Sequence, residues 1–495
     1  MNIALLLHII LLLPLGAAIA ILLGSPARKT ALGASIAALF LTLISIAAFL
    51  KTTGGFQFQS SFSVVSEWDL KYFLGVDGLS LAMVLLSTLV TVAAVWVTPK
   101  IEKSENVFYA CLLFISAGAI GAFLSLDLFF FYAFHELALI PTFLLIGIWG
   151  SGEKQQAAWR ITIYLAIGSI ILLAGLIGVY LAVPVDQRTF DIPKLQALAQ
   201  TTAFLPGKWI FPTLLVGFGV LVSLFPFHSW APKAYASAPA PASMLHAGVL
   251  KKFGLYGMLR IALPMFPLGI QQYDYLILIL LIGNILFVGL ATIAQKQLDT
   301  TLGYSSVMHM GYIYLGIVSM NLTGINGAAL LMFAHGLSIA ALFAMSGMIR
   351  ERTGTLELSD LGGLGKRAPA LMFCFGLATF ASIGLPGFGN FASETMVFFG
   401  AFSGGFEPNA FSTGTFNFHQ IATIVGLWGV VISAVYMLRA YRKIFMGDLV
   451  SRWAGIGDIT AKIPLALLIG ALLVCGCYPQ GFLRLVGPTL SHLLP

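Results

Sequence analysis

The first 24 residues, MNIALLLHIILLLPLGAAIAILLG at positions 1–24, form an apolar run without aspartate, glutamate, lysine or arginine. About 20 such residues in an α-helix cross the roughly 30 Å hydrocarbon core of a bilayer. A secretory signal would start with basic residues, which this run lacks, and here another apolar run follows at once. The stretch therefore predicts a first membrane span at residues 2–24.

Similar runs recur along the whole chain, which has 495 residues, 59% of them hydrophobic and 9% charged. So few charged residues cannot cover the surface of a soluble particle of that size. A strand barrel would show short segments of alternating polarity instead. We therefore predict an all-α polytopic membrane protein with about 14 transmembrane helices. The predicted spans lie near residues 2–24, 30–50, 73–98, 106–124, 126–149, 158–182, 208–227, 239–262, 273–294, 301–320, 323–349, 368–402, 416–440 and 462–483.

Two of these predicted helices are expected to be interrupted, the seventh at Pro226 and Pro232 and the twelfth at Pro386 with its neighbouring glycines. A broken backbone cannot face lipid, so each break must face protein or a wet cavity. Because the breaks lie five spans apart, the pattern favours two inverted five-helix repeats around a site near the midplane. The predicted division is an N-terminal three-helix segment (1–105), a first repeat (106–262), a second repeat (273–440) and a C-terminal loop with the last span (441–495).

Lysine and arginine are distributed unevenly between the loops. Loops after odd-numbered spans carry more of them than loops after even-numbered spans. Positively charged loops stay on the cytoplasmic side of a membrane. Both termini are therefore predicted to lie on the opposite face.

Several classes of function are disfavoured by what the sequence lacks. The four cysteines all fall inside apolar runs, so neither a disulfide framework nor a metal site is expected. The net charge of +7 comes from residues in short loops rather than from one patch, which argues against a nucleic-acid partner. Phosphate-binding loops and cysteine clusters for iron–sulfur centres are absent. No cofactor is therefore predicted on this chain.

The residues that stand out are ionisable groups inside predicted spans, where each charge costs at least about 2.5 kcal/mol. Glu136 lies in FFFYAFHELALIP, and Lys251 and Lys252 lie in SMLHAGVLKKFGLYGMLR. Burial disfavours a charged lysine and a nearby carboxylate favours it, so a changing separation acts as a switch. His135, about 100° around the helix from Glu136, is interpreted as a packed imidazole. For Lys251 a purely structural role stays open.

Further along, His309 and His335 lie inside two more spans, and Glu394 follows the predicted break in GLPGFGNFASE. Histidine titrates nearest to physiological pH and therefore suits a proton relay. A single histidine on an apolar helix is more often a packed core residue, but these two lead towards Glu394. The order of carboxylate, lysines, histidines and carboxylate predicts a polar axis for proton movement.

Taken together, these segments resemble the antiporter-like membrane subunits of respiratory complex I, the NADH:quinone oxidoreductase, and the related chains of multisubunit cation/proton antiporters. An acidic residue at the position of Glu394 is typical of the M-type chain, the counterpart of mitochondrial subunit four. The matching stretches are GVDGLSL (75–81), HELALIP (135–141), IGIWG (146–150), FPFHSWAPKA (225–234), HAGVLKKFGLYGMLR (246–260), GYSSVMHMGY (303–312), FAHGLS (333–338), LGGL (361–364) and GLPGFGNFASE (384–394).

The resemblance implies a proton-translocating subunit in a membrane arm, beside other antiporter-like chains, in a bacterial cytoplasmic membrane. Glu136 matches the fifth-helix glutamate of the family, Lys252 the central lysine, and Glu394 the terminal proton residue. His309 and His335 match the connecting histidines. NADH, FMN, iron–sulfur clusters and quinone would then be bound by other subunits.

Two positions depart from the family pattern. Leu221 stands where relatives carry a lysine in the seventh helix, so the usual partner of Glu136 is missing. As a hypothesis, the extra Lys251 replaces that cation and reaches Glu136. Asp299 occupies the place of a lysine in the loop before the tenth span.

Two other functions remain open from the sequence. One is a subunit of a cation/proton antiporter or of a membrane-bound hydrogenase. Sodium-dependent transport without redox chemistry would favour the antiporter. The other is a structural membrane scaffold without a proton path of its own, in which substitutions at Glu136 and Lys252 would leave pumping unchanged.

Overall fold

The structure, a computed structural model, describes residues 3–51, 55–201, 207–405, 414–450 and 462–494. Most of these residues are helical. Within the described ranges, nine helices are long and apolar enough to cross a membrane, and a tenth span results if the pair bent by 78° near the C-terminus is one crossing. The expected polytopic helical membrane protein is therefore confirmed.

The helices follow the predicted order of apolar segments, with α17 at the centre of the bundle. It packs against α3, α11, α16 and α19, and its whole apolar stretch is buried. The helices are α1 (Ile3–Leu22), α2 (Ala27–Phe49), α3 (Gly78–Val97), α4 (Glu105–Leu124), α5 (Leu128–Glu136), α6 (Leu139–Trp149), α7 (Lys154–Ala182), α8 (Ile192–Thr201), α9 (Gly207–Val222), α10 (Trp230–Ser237), α11 (Ala240–Leu245), α12 (Lys252–Gly257), α13 (Leu263–Met265), α14 (Pro267–Ile282), α15 (Gly289–Ile293), α16 (Leu298–Val318), α17 (Leu322–Thr353), α18 (Pro369–Ile383), α19 (Gly389–Ser403), α20 (Phe418–Phe445), α21 (Lys462–Cys477) and α22 (Pro479–Ser491).

Both predicted interruptions are present. α9 ends at Val222 and α10 begins at Trp230, and α18 ends at Ile383 before α19 begins at Gly389. Gly384 closes α18 in the left-handed conformation, with φ of 82°. Such a backbone suits glycine because it has no Cβ.

Other irregularities were not predicted. The fifth span is split, because α5 ends at Glu136 and α6 begins at Leu139. π-Turns separate α11 from α12, α12 from α13, and α14 from α15, at His246–Leu250, Met258–Ala262 and Gly283–Val288. Single π-turns of this kind are frequent at functional sites.

The expectation that the chain is all-α is wrong at one place. Residues 57–76 form an antiparallel hairpin of β1 (Gln57–Val65) and β2 (Leu70–Val76). Consequently α3 starts only at Gly78, after Asp77 caps it by accepting the backbone N–H of Ser80 at 2.9 Å. We call the end of the bundle that carries this hairpin the hairpin side. The short β1 carries mostly half-buried or exposed side chains, so no long apolar run marks it.

Candidate functional site

Glu136 lies at the break between α5 and α6, with its side chain 30% exposed. Its Oε1 accepts a hydrogen bond from the Ser169 hydroxyl of α7 and lies 3.3 Å from Nδ1 of His135. His135 also stacks on the Phe253 ring, with 4.1 Å between the centroids. His135 is thus packed, as expected, but it also contacts Glu136, which the helical spacing did not predict.

Lys251 does not fill the place left by Leu221. Its Nζ donates to Oγ of Ser306 on α16 at 3.3 Å and lies 5.3 Å from the centre of the Tyr235 ring. The preceding π-turn is the cause, since the backbone N–H of Lys251 bonds to the carbonyl of His246, five residues back. Among the described residues, no lysine or arginine nitrogen lies within 4.0 Å of the Glu136 carboxylate.

Lys252 is fully buried and donates through Nζ to the carbonyl oxygen of Ala247 at 2.6 Å. No carboxylate of the described chain lies within 4.0 Å of this ammonium. A buried cation without a counter-ion is costly. Among the described residues, the Lys252 side chain makes no hydrogen bond to Ser306, His309 or His335.

The two histidines lie face to face between α16 and α17. Their ring centroids are 4.8 Å apart, at an interplanar angle of 17°. His309 places Nδ1 2.8 Å from the Ser305 carbonyl oxygen and Nε2 3.0 Å from that of Ser382. Since both nitrogens face acceptors, a doubly protonated ring would satisfy both. His335 places Nε2 3.4 Å from Oγ of Ser306, while its buried Nδ1 has no partner.

Glu394 lies near the start of α19 and is 4% exposed. Its Oε1 is 4.0 Å from Nε2 of His309 and has no hydrogen-bond partner in the part of the chain that the structure describes. The carboxylate packs against the break before α19, where a Cβ on Gly384 would come within 2.4 Å of Oε2. The fully buried amide of Asn390 also lacks a partner. The site therefore offers several buried polar atoms that are open to a proton or to water.

The structure thus brings together four of the six predicted residues, Lys251, His335, His309 and Glu394, with Ser306 between the first two. Glu136 and Lys252 are not bonded to this group. Sequence reasoning missed Ser306 and His246. Nδ1 of His246 lies 3.3 Å from the hydroxyl of Tyr235, whose ring faces the Lys251 ammonium. The spacing of Ser306, about one helical turn before His309, was a usable signal.

Asp299, which replaces a lysine of relatives, also has a defined environment. Its Oδ2 accepts from Nη2 of Arg350 at 2.5 Å, and Oδ1 accepts from the Ser346 hydroxyl. The first turn of α16 is therefore held to the last turn of α17 by an ion pair.

A multi-span helical membrane protein with a buried chain of proton-holding groups belongs to the class of proton or cation carriers. A family model described as NADH:quinone oxidoreductase/Mrp antiporter, TM, matches residues 125–439. The chain is 34% identical to NADH-quinone oxidoreductase subunit M of Rhodobacter capsulatus, over 99% of this chain and 96% of the relative. The chain belongs to this family.

Solved structures agree. A chain of respiratory complex I from Thermus thermophilus with bound NADH superposes with a TM-score of 0.87 at 27% identity, covering 100% of both chains. A chain of the Mrp complex from Dietzia sp. gives a TM-score of 0.82 at 20% identity, covering 99% and 97% of the two chains, and shares the fold. Within the family the chain is of the antiporter-like M type, which confirms the assignment made from Glu394.

Proposed function

We propose that this chain carries protons across the bilayer as a membrane-arm subunit of an NADH:quinone oxidoreductase, next to other antiporter-like chains. The observation that supports it most directly is the row of neighbouring buried polar groups formed by Lys251, Ser306, His335, His309 and Glu394. Buried ionisable groups in a membrane protein are costly, and a proton path explains their presence.

Each contact suits one step of proton transfer. The Ser306 hydroxyl accepts a proton from the Lys251 ammonium and gives its own to Nε2 of His335. The stacked rings have no direct hydrogen bond, so the next transfer needs a ring rotation or a bridging water, and Nδ1 of His335 is open to that contact. His309 Nε2 and Glu394 Oε1 are 4.0 Å apart, so the last transfer passes through a bridging water, which takes the proton from Nε2 as it gives one to the carboxylate.

Glu136 is placed differently from the other members, because it is partly exposed at the side of the bundle. A charge change in a neighbouring subunit would reach the His135–Glu136 pair first. From there one ring contact leads inwards, that of His135 with Phe253, which follows Lys251 and Lys252 in the chain. We infer that this pair senses the neighbouring chain while Lys251 loads the proton.

The finer architecture is part of the same proposal. It comprises fourteen membrane crossings, two inverted five-helix repeats with the boundaries given above, and both termini on the periplasmic face of a bacterial cytoplasmic membrane. The helix breaks before α10 and between α18 and α19, five predicted spans apart, support the repeats. The redox groups and quinone would be bound by other subunits, and quinone reduction there would drive transfer here.

The test uses the whole complex in sealed vesicles, where proton uptake and NADH oxidation are measured together. We expect Glu394→Gln and Lys251→Met to lower the number of protons moved per NADH. Glu102→Gln, which alters an exposed loop carboxyl, should leave that ratio unchanged. Normal ratios in both buried variants would refute the route and favour a scaffold.

A second candidate is cation/proton antiport, because the matched family model covers Mrp antiporters as well. It predicts sodium-dependent proton exchange in vesicles without NADH. Glu394→Gln should then abolish that exchange, whereas a complex I subunit would show none.

A further inference from the structure

A buried acid–base pair lies outside the proposed route. Asp274 of α14 is 5% exposed and His419 of α20 is 2% exposed. Nε2 of His419 lies 2.9 and 2.8 Å from the two carboxylate oxygens of Asp274. Asp274 is the only aspartate, glutamate, lysine or arginine between residues 267 and 293. The pair therefore forms a buried hydrogen-bonded contact between α14 and α20.

The position of the pair connects it to both helices that carry the end of the route. The His419 ring packs against Gly405, where a Cβ would come within 2.5 Å of Cδ2. The Gly405 N–H donates to the Ser319 carbonyl oxygen at 3.1 Å. Ser319 follows α16, which carries His309, and Gly405 follows α19, which carries Glu394. His419 thus lies where these two helices end.

That junction lies towards the hairpin side. α13 contacts α8. Asp191, just before α8, forms a β-bridge with Asp127, and the nearby Ser125 forms another with Leu74 of the hairpin. α14 follows α13 directly, and Asp274 lies in its second turn. From Glu394 to the end of α19 the helix rises by about 13 Å. The pair therefore lies between Glu394 and the hairpin-side surface.

A second observation distinguishes the pair from a simple tether between helices. Nδ1 of His419 is buried and has no hydrogen-bond partner among the described residues. An ion pair kept only for stability would leave a buried N–H unsatisfied whenever the ring is charged, which is unfavourable. An imidazole that takes up a proton at Nδ1 and passes one on from Nε2 uses both nitrogens.

We infer that Asp274 and His419 form a proton-exchange site through which protons pass between Glu394 and the hairpin-side solution. The inference rests on the proposed function. In the outward step, Nδ1 of neutral His419 binds a proton and Nε2 gives its proton to the Asp274 carboxylate. The carboxylic acid then releases that proton to water, and a rotation of the ring turns its remaining N–H back to the carboxylate, which closes the cycle.

The test again uses the whole complex in sealed vesicles, with protons moved per NADH as the readout. Asp274→Asn keeps the size and one acceptor oxygen for His419 but cannot take up a proton. We expect it to lower the ratio by the same factor as Glu394→Gln. Thr423→Val, one turn from His419, removes only a hydroxyl bonded to the His419 carbonyl and should change nothing.

A structural role gives a different result in a double variant. Replacing both members, Asp274→Leu with His419→Leu, leaves no uncompensated buried charge, so a tether should be replaceable without loss of pumping. We expect this variant to assemble and to pump as poorly as Asp274→Asn. If Glu394→Gln lowers the ratio but Asp274→Asn or the double variant pumps normally, the exchange site is overturned and the proposed function stands. If Glu394→Gln itself pumps normally, the proposed function fails instead.

Discussion

Ser306→Ala is the most specific perturbation of the proposed route. The Ser306 hydroxyl lies 3.3 Å from Nζ of Lys251 and 3.4 Å from Nε2 of His335, so it is the hydrogen-bonding link between α12 and α17. Alanine removes that oxygen and adds nothing to the packing. The change therefore interrupts proton transfer without removing an ionisable group.

The size of the effect follows from the burial of both nitrogens, since Lys251 and His335 are each 1% exposed. Leaving a buried polar group without its partner costs about 1–3 kcal/mol. If that cost falls on the charged form of Lys251, its population drops about 5- to 150-fold. We expect the pumping rate through this subunit to fall by a factor in that range.

The assay compares proton uptake with NADH oxidation in vesicles that contain the whole complex. Ser305→Ala is the matched control, because the neighbouring Ser305 hydroxyl bonds to Tyr436 at 2.8 Å and lies off the route. Lys251→Met should give the same loss, and the double variant should be no worse than either single one, because both break one link. Wild-type pumping in Ser306→Ala would refute the route through this hydroxyl.

Two further predictions concern the hairpin side. Arg260→Met leaves the Asp77 carboxylate, which now accepts from Nη2 at 2.7 Å, buried and unpaired. Thermal unfolding of the purified complex should show a loss of about 3–5 kcal/mol, and an unchanged midpoint would contradict this. Burial raises the pKa of Asp127 from 3.8 to about 7. The folded state therefore binds this proton more tightly than the unfolded state, and the resulting stability is lost as the pH rises through about 7. Relative to the intrinsic exchange rate at each pH, the hairpin amides should be better protected at acidic pH, and Asp127→Asn should remove that difference.

The helical architecture could be predicted because apolar length alone determines it in lipid. The break after Glu136 could also have been predicted, from Pro141. Pro141 has no N–H to bond the carbonyl of Leu137, and its ring crowds that carbonyl, so a regular helix is disfavoured there. The hairpin could not be predicted in the same way, since β1 is mostly half-buried or exposed and the apolar end of β2 continues into the apolar run predicted as the third span.

The connection between Lys251 and Ser306 depends on packing that no single segment reveals. Gly248, inside the π-turn before Lys251, meets Gly336 of α17, where a Cβ on Gly336 would come within 2.7 Å of the Gly248 carbonyl oxygen. This close approach accompanies the π-turn that directs Lys251 towards α16. The hypothesis that Lys251 replaces the missing seventh-helix lysine, by contrast, led to the wrong partner, Glu136.

Proline at the second break connects the backbone to the proposed chemistry. In a continuous helix the carbonyl of Ser382 would accept the N–H of residue 386, but Pro386 has none. That carbonyl is instead 3.0 Å from Nε2 of His309, on another helix. Gly384 lies in the same break, and because it has no Cβ the Glu394 carboxylate can pack against it. In hydrocarbon a freed carbonyl must find a donor within the protein. The interruption thus supplies an acceptor for His309 and space for the Glu394 carboxylate, so the broken helix is part of the proposed route.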